Sequence, residues 1–92
     1  SGVQLTWNQE LSSISAAEAK EFDFGATLSY DGDVSISQES VHYLYTGLTS
    51  SWRLYSSTTT PPTEPGSYVV TVVTLGGNYQ AAPITRSFRI TK

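Results

Sequence analysis

The stretch PPTEPGSYVVTV, residues 61 to 72, decides the fold of this chain. Proline fixes φ and has no backbone N–H to donate, so its three prolines keep the first half out of any sheet and restrict the unfolded chain. Gly66 lets the backbone bend where a side chain would clash. The second half is rich in valine and is typical of a strand. The stretch therefore predicts an ordered crossing that leads directly into a strand.

That strand, YVVTVVTL at residues 68 to 75, is apolar on both faces, which predicts a central strand or one covered by a neighbour. Val69, Val73 and Leu75 would otherwise form an apolar stripe for contact with a neighbouring repeat or a second copy. Tyr68 can pack its ring in the core while its hydroxyl bonds the backbone of the crossing. Immunoglobulin-like sandwiches place such a tyrosine at the corner between strands E and F. We therefore predict structural roles for Pro65, Gly66 and Tyr68.

Alternating residues predict further strands along the chain. EFDFGATLSY, residues 21 to 30, places Phe22, Phe24, Ala26, Leu28 and Tyr30 on one face, and VHYLYTG, residues 41 to 47, is predicted to turn its tyrosines inward. Residues 3 to 7, 52 to 57 and 84 to 92 complete the set. Residues 10 to 21 are interpreted as strand plus loop, with a helical turn at Ala16 to Lys20 as the alternative. Turn signals at Asp31-Gly32 and Gly76-Gly77-Asn78 separate the strands. The pattern predicts an all-β, immunoglobulin-like β-sandwich of about seven short, mostly antiparallel strands.

Length and composition limit the classes of protein that this chain can represent. Ninety-two residues make a single domain, 1–92, in which Ser1-Gly2 is interpreted as a cloning remnant. The net charge of −3 comes from scattered acids, and no basic patch is present to bind nucleic acid or anionic lipid. There is no cysteine, which excludes disulfides and thiolate chemistry. No apolar run reaches the length of a membrane span, so direct membrane insertion is not expected.

Five pieces in this order resemble the bacterial immunoglobulin-like repeats called MBG domains: LSYDGD at 28 to 33, VHYLYTG at 41 to 47, PPTEPGSYVVTV at 61 to 72, GGNY at 76 to 79 and SFRI at 87 to 90. The resemblance implies a module of a larger extracellular protein, secreted or on the bacterial cell surface as in adhesins. It implies a non-catalytic spacer or adhesion role, without cofactors. The expected partners are neighbouring domains of the same chain, together with a host or cell-wall glycan or a surface protein. The isolated domain is expected to be a monomer.

Candidates for catalysis and metal binding are few. His42 is the sole histidine, and no nucleophile-elbow sequence accompanies it, so we interpret it as an exposed strand residue and predict no enzyme. One histidine without cysteine does not make an ordinary zinc site. Asp31 and Asp33 at alternate positions of a turn, with Glu39, are the carboxylates that a Ca²⁺ ion would use. Asp-Gly is also a common turn in its own right, and the turn is the preferred interpretation.

Four aromatic residues beside turns or strand ends give the alternative function. Trp7, Trp52, Tyr55 and Tyr79 are candidates for stacking on sugar faces in a shallow groove, as in a carbohydrate-binding module accessory to a polysaccharide-active enzyme. The competing interpretation places both tryptophans in the core or at its rim, because a small sandwich needs large side chains to fill it. The sequence leaves these two interpretations open.

Overall fold

The computed structural model describes residues 2–77 and 79–92. Ser1 of the predicted remnant and Asn78 of the predicted turn lie outside the described residues. Seven strands and one short helix follow one another along the chain: β1 Val3–Trp7, β2 Ser13–Ser15, α1 Ala16–Ala19, β3 Ala26–Tyr30, β4 Val41–Thr49, β5 Leu54–Ser57, β6 Gly66–Thr74 and β7 Ile84–Thr91.

The strands form two sheets. The small sheet pairs β1 with β3, and the large sheet has the order β2-β7-β6-β4-β5. All pairs are antiparallel except β2 with β7, which run parallel. The prediction of an all-β sandwich of seven short, mostly antiparallel strands is therefore confirmed.

Strand β6 is the middle strand of the large sheet, as its valine-rich sequence predicts. It pairs with β4 over nine residues, from Val41 opposite Thr74 to Thr49 opposite Gly66, and with β7 on its other side. Its inward residues Tyr68, Val70, Val72 and Thr74 are buried. The opposite face of the strand is turned outward, and Val69 and Leu75 are 36% and 61% exposed. That second face is therefore open at Val69 and Leu75, and its contact with a neighbouring repeat or a second copy stays a prediction.

Aromatic rings join the two sheets in the core. Phe88 of the large sheet contacts Phe24 at 5.2 Å and Tyr68 at 5.6 Å between ring centroids, and Tyr45 meets Phe24 at 6.4 Å. Aliphatic side chains from both sheets fill the space around the rings: Leu5, Ile14, Ala19, Ala26, Leu28, Val70, Val72 and Ile90. Because two strands cannot cover five, connecting segments must cover the rest of the large sheet.

The segment 58–65 provides part of that cover. It joins β5 to β6, which lie on opposite sides of β4, so it must cross β4. It does so on the core side, since Tyr55 and Tyr68 donate their hydroxyls to its carbonyl oxygens at Thr60 and Glu64. Pro62 of this segment is fully buried.

Two sequence predictions need correction. The predicted strand over residues 21 to 30 begins only at Ala26, because Asp23 accepts a hydrogen bond from the Gly25 N–H at 2.9 Å and bends the backbone there. Phe24 is nevertheless buried, whereas Tyr30, predicted to face inward, is 44% exposed at the end of β3.

The segment 10 to 21 contains a short strand followed by a helical turn, and not strand plus loop alone. The helix α1 forms because Ser15 caps the Glu18 N–H at 3.2 Å while the Glu18 carboxylate accepts from the Ser15 N–H at 3.3 Å. This reciprocal pair is a capping box, whose S-x-x-E spacing is visible in the sequence. The predicted strand is therefore confirmed, and the helical turn given as the alternative follows it in place of the loop.

Candidate recognition site at one end of the sandwich

The four candidate aromatic residues do not form one groove. Trp7 is half-buried, with its ring under the guanidinium of Arg86. Tyr55 packs edge-on against the Tyr68 ring, and Tyr79 packs against Tyr30, each ring at least partly covered. Trp52 alone stands in solvent, 81% exposed. The four rings therefore do not share one platform, and Trp52 is the candidate whose ring is free to stack on a ligand.

Trp52 lies in the hairpin that joins β4 to β5. Its N–H donates to the Thr49 carbonyl at 3.0 Å, and the Thr49 N–H donates to the Arg53 carbonyl at 2.9 Å. These two bonds define a three-residue hairpin loop, a turn followed by one residue in the left-handed conformation. The Thr49 hydroxyl also accepts from the Arg53 N–H at 3.1 Å, which fixes the turn further.

The left-handed position of this hairpin is occupied by Trp52 itself, with φ of +65°. Glycine or asparagine is usual there, since a Cβ in this region costs about 1 kcal/mol. Asp31, the other non-glycine residue with positive φ, belongs to a type that tolerates this region. Trp52 combines a strained backbone conformation with an exposed side chain, so the residue adds little to the stability of the fold. Strained residues of this kind cluster at functional sites, and Trp52 is therefore a candidate for a functional role.

An open trough of about 370 Å³ lies beside Trp52. Strand pairing places Leu48, Ser67 and Arg89 in one row across β4, β6 and β7, and this row crosses the trough. The trough has a cationic side, contributed by Arg89 and Lys92, and an aromatic side, contributed by Trp52. Its remaining lining is apolar or hydroxyl-bearing: Thr49, Ser50, Pro65, Gly66, Ile90 and Thr91.

Two of the residues predicted to be structural, Pro65 and Gly66, line this trough, and the third, Tyr68, lies in the core. Tyr68 is buried and donates its hydroxyl to the Glu64 carbonyl at 2.7 Å, which is the corner contact expected from the sequence. Burial raises the pKa of the Tyr68 phenol. The Pro65 carbonyl accepts from the Ser50 N–H at 2.8 Å and so ties the hairpin to the crossing. A Cβ on Gly66 would lie 2.5 Å from the Leu48 carbonyl oxygen, so only glycine allows β6 to begin this close to β4.

The candidate calcium ligands lie in loops at the other end of the sandwich. The Asp33 carboxylate accepts from the N–H and the hydroxyl of Ser35, at 2.9 and 2.7 Å, and these bonds hold the pKa of Asp33 below its usual value. Asp31 donates its N–H to the Gly2 carbonyl at 2.9 Å. Glu39 is exposed in the loop before β4. Within residues 2–77 and 79–92, no three His, Cys, Asp or Glu side chains are grouped to hold a metal ion. The Asp31-Gly32-Asp33 segment is a turn, the preferred interpretation.

His42 is exposed on the outer face of β4, opposite Val73 of β6, as predicted.

Arg86 is an inward-facing residue that the sequence analysis missed. It stacks over the Trp7 ring at 4.0 Å and donates from Nη1 to the Gln9 carbonyl at 2.7 Å, so it links β7 to the segment after β1. Its Nε and Nη2 are buried without a partner among the described residues. This burial lowers the pKa of the guanidinium, and the nearby Glu10 opposes the shift. The sequence contains a signal for this position, because the alternation along β7 that turns Phe88 and Ile90 inward also turns Arg86 inward.

Comparison with known proteins gives no relative for this chain: no family model, no curated protein and no solved structure matches it. The resemblance to MBG repeats therefore rests on the five sequence pieces alone. The described residues form no helix that is both long and apolar enough to span a membrane.

Proposed function

We propose that this chain is a non-catalytic extracellular module of the immunoglobulin-like type, which acts as a spacer or adhesion unit within a larger bacterial surface or secreted protein. One observation carries the proposal. The domain measures 42 × 20 × 17 Å, and strand pairing places the start of β1 and the end of β7 at opposite ends of the long axis.

The pairing of the strands supports this path of the chain. Strands β4 and β6 have nine residues each, about 30 Å at the usual rise, so they fit only along the long axis. Strand β1 begins beside Tyr30, whose ring meets Tyr79 near the end of β6. Strand β7 ends past Ile90, opposite Gly66 at the start of β6. An array of copies joined end to end would therefore become longer with each copy, and successive copies would not lie side by side.

The sheet order supports the immunoglobulin-like part of the proposal. In such sandwiches strands C, F and G form one sheet and strands A and B belong to the other. Here β4, β6 and β7 correspond to C, F and G, with β5 as an added C′ strand, and β1 and β3 correspond to A and B. The prolines of segment 58–65 take the place of strand E, since they cannot donate to a ladder.

The spacer role is tested by joining two, three and four copies from Lys92 to Gly2 and measuring small-angle scattering. We expect the maximum dimension to grow by close to the 42 Å long axis for each copy. Growth of less than about half that value, as in compact packing of copies, would contradict the proposal; the single copy is the reference.

A second candidate, a carbohydrate-binding module attached to a polysaccharide-active enzyme, is favoured by one observation, the exposed ring of Trp52 beside the trough. The flanking sequence separates the two candidates. Tandem copies of this domain support the spacer, and an adjacent polysaccharide-active catalytic domain supports the enzyme accessory.

A further inference from the structure

We propose that the trough beside Trp52 binds an acidic saccharide, with a carboxylate or sulfate group held between Arg89 and Lys92 and a sugar ring stacked on the indole. This inference rests on the adhesive part of the proposed function and names the class of ligand. It does not depend on whether copies of the domain extend a stalk.

The charge around the trough favours an anionic ligand. The chain has five lysines and arginines against eight acids. Two of those five cations line the trough, and no side chain of its lining is a carboxylate. Glu64 lies in a separate hollow on the core side of the hairpin, with Arg53. A cationic trough on a protein of net charge −3 raises the local concentration of anions there.

The lining favours a sugar over a peptide strand. The trough lies over β4, β6 and β7, whose backbone groups are engaged in pairing with neighbouring strands, so a peptide cannot add there as a further strand. Recognition must come from side chains. Ser50, Ser67 and Thr91 supply hydroxyls at its rim, and the indole supplies a flat apolar face for sugar C–H groups.

The dimensions agree with a short saccharide segment. The row Leu48–Ser67–Arg89 spans two strand spacings, about 10 Å from the first Cα to the last. The volume of 370 Å³ lies at the lower end of small-ligand sites, which run from about 300 to 1,000 Å³. The open shape predicts weak binding by one domain, with Kd of about 1 mM, which repeated copies would strengthen through avidity.

The conformation of Trp52 gives a second, independent argument. Its positive φ and 81% exposure both work against stability, so a change to a residue that suits the left-handed region should not harm folding. We expect Trp52→Asn to leave the free energy of unfolding unchanged or to raise it, and to abolish binding. Opposite effects on stability and binding distinguish a recognition residue from a packing residue.

The test is a titration of the single domain, followed by ¹H–¹⁵N NMR, with trigalacturonic acid, whose acidic groups are all carboxylates, and with a κ-carrageenan tetrasaccharide, whose acidic groups are all sulfates. The two probes separate carboxylate from sulfate as the acidic group. The methyl ester of trigalacturonic acid is the matched neutral ligand. We expect saturable shifts of the Trp52 indole, Ser67 and Arg89 signals, and binding to the ester at least about tenfold weaker.

Arg89→Gln is expected to weaken binding about tenfold, through loss of a charged hydrogen bond. Arg53→Gln is the matched control, since Arg53 adjoins Trp52 but lines the other hollow, and this variant should bind as the unchanged protein does. Circular dichroism of each variant checks that it folds.

Three outcomes would overturn the inference. One is the absence of any Trp52 shift with either acidic probe at about 10 mM. Another is equal binding of the acid and its ester. The third is binding of a tetraglutamate peptide as tight as that of the acidic probes, which would assign the trough to acidic proteins. The spacer proposal would stand in all three cases, because the scattering of joined copies is measured without ligand.

Discussion

At the scale of the residue, the two tryptophans show how burial decides a role that residue type does not. Trp7 is half-buried beneath Arg86 and helps to close one edge of the sandwich. Trp52 contributes almost nothing to the core and occupies a strained backbone position. Both flank turns in the sequence and are equally apolar. Only their neighbours in space separate the packing role of Trp7 from the recognition role that we propose for Trp52.

Tyr68→Phe tests the corner contact at the same scale. The change keeps the ring that packs on Phe88 but removes the donor to the Glu64 carbonyl. We expect the free energy of unfolding to fall by about 1 kcal/mol or more, measured with urea. Tyr30→Phe, at an exposed position, is the control and should change stability by less than about 0.5 kcal/mol. Equal stability of Tyr68→Phe and the unchanged protein would remove the structural role assigned to this hydroxyl.

At the scale of the element, β4 is a long strand with a gap in its inward face at Gly47. This residue pairs with Tyr55 on one side and Tyr68 on the other, and the two rings meet edge to face at 5.9 Å. The missing side chain leaves room for the Tyr68 ring and for the backbone of β6 at Ser67.

Gly47→Ala tests that close approach. An added Cβ would lie 2.4 Å from the Ser67 carbonyl oxygen and 2.6 Å from Cδ1 of Tyr68. Because backbone must shift to relieve this overlap, we expect a loss of about 3 kcal/mol in the free energy of unfolding. Thr46→Ala, on the outward face of the same strand, should cost less than about 1 kcal/mol. A stable Gly47→Ala protein would show that β6 and the Tyr68 ring do not approach β4 as closely as these distances indicate.

At the scale of the whole molecule, buried phenols connect the stability of the sandwich to alkaline pH. Burial raises the pKa of Tyr45 from 10.0 to about 12, and the nearby Tyr43 phenol contributes a smaller part of this increase. Between these values the unfolded chain has lost the proton and the native protein still holds it. The native state then binds more protons, so stability falls as pH rises. Below pH 10 the Tyr45 phenol is protonated in both the native and the unfolded state, so it contributes no pH dependence to stability.

We therefore expect urea unfolding to show a decrease in stability from pH 10 to pH 12, with roughly 1.4 kcal/mol per pH unit as the upper limit for one such group. Tyr45→Phe should make this decrease shallower without abolishing it, because Tyr68 also has a raised pKa. An unchanged slope in the variant would mean that Tyr45 ionises in the native protein as readily as in the unfolded chain.

The sequence by itself determined the fold class, the middle position of β6 and the corner at Tyr68. These follow from local rules: side chains alternate along a strand, and proline cannot join a ladder. It left the helical turn of α1 as an alternative, although the capping box of Ser15 and Glu18 was readable.

Only the tertiary structure decided the candidate site. Trp52, Ser67 and Arg89 come from three segments of the chain, and no local pattern connects them. Strand pairing aligned Leu48, Ser67 and Arg89 in one row, and the hairpin turned Trp52 out beside them. A single sequence records periodicity along the chain, whereas a site depends on distances across it, which packing of the two sheets sets.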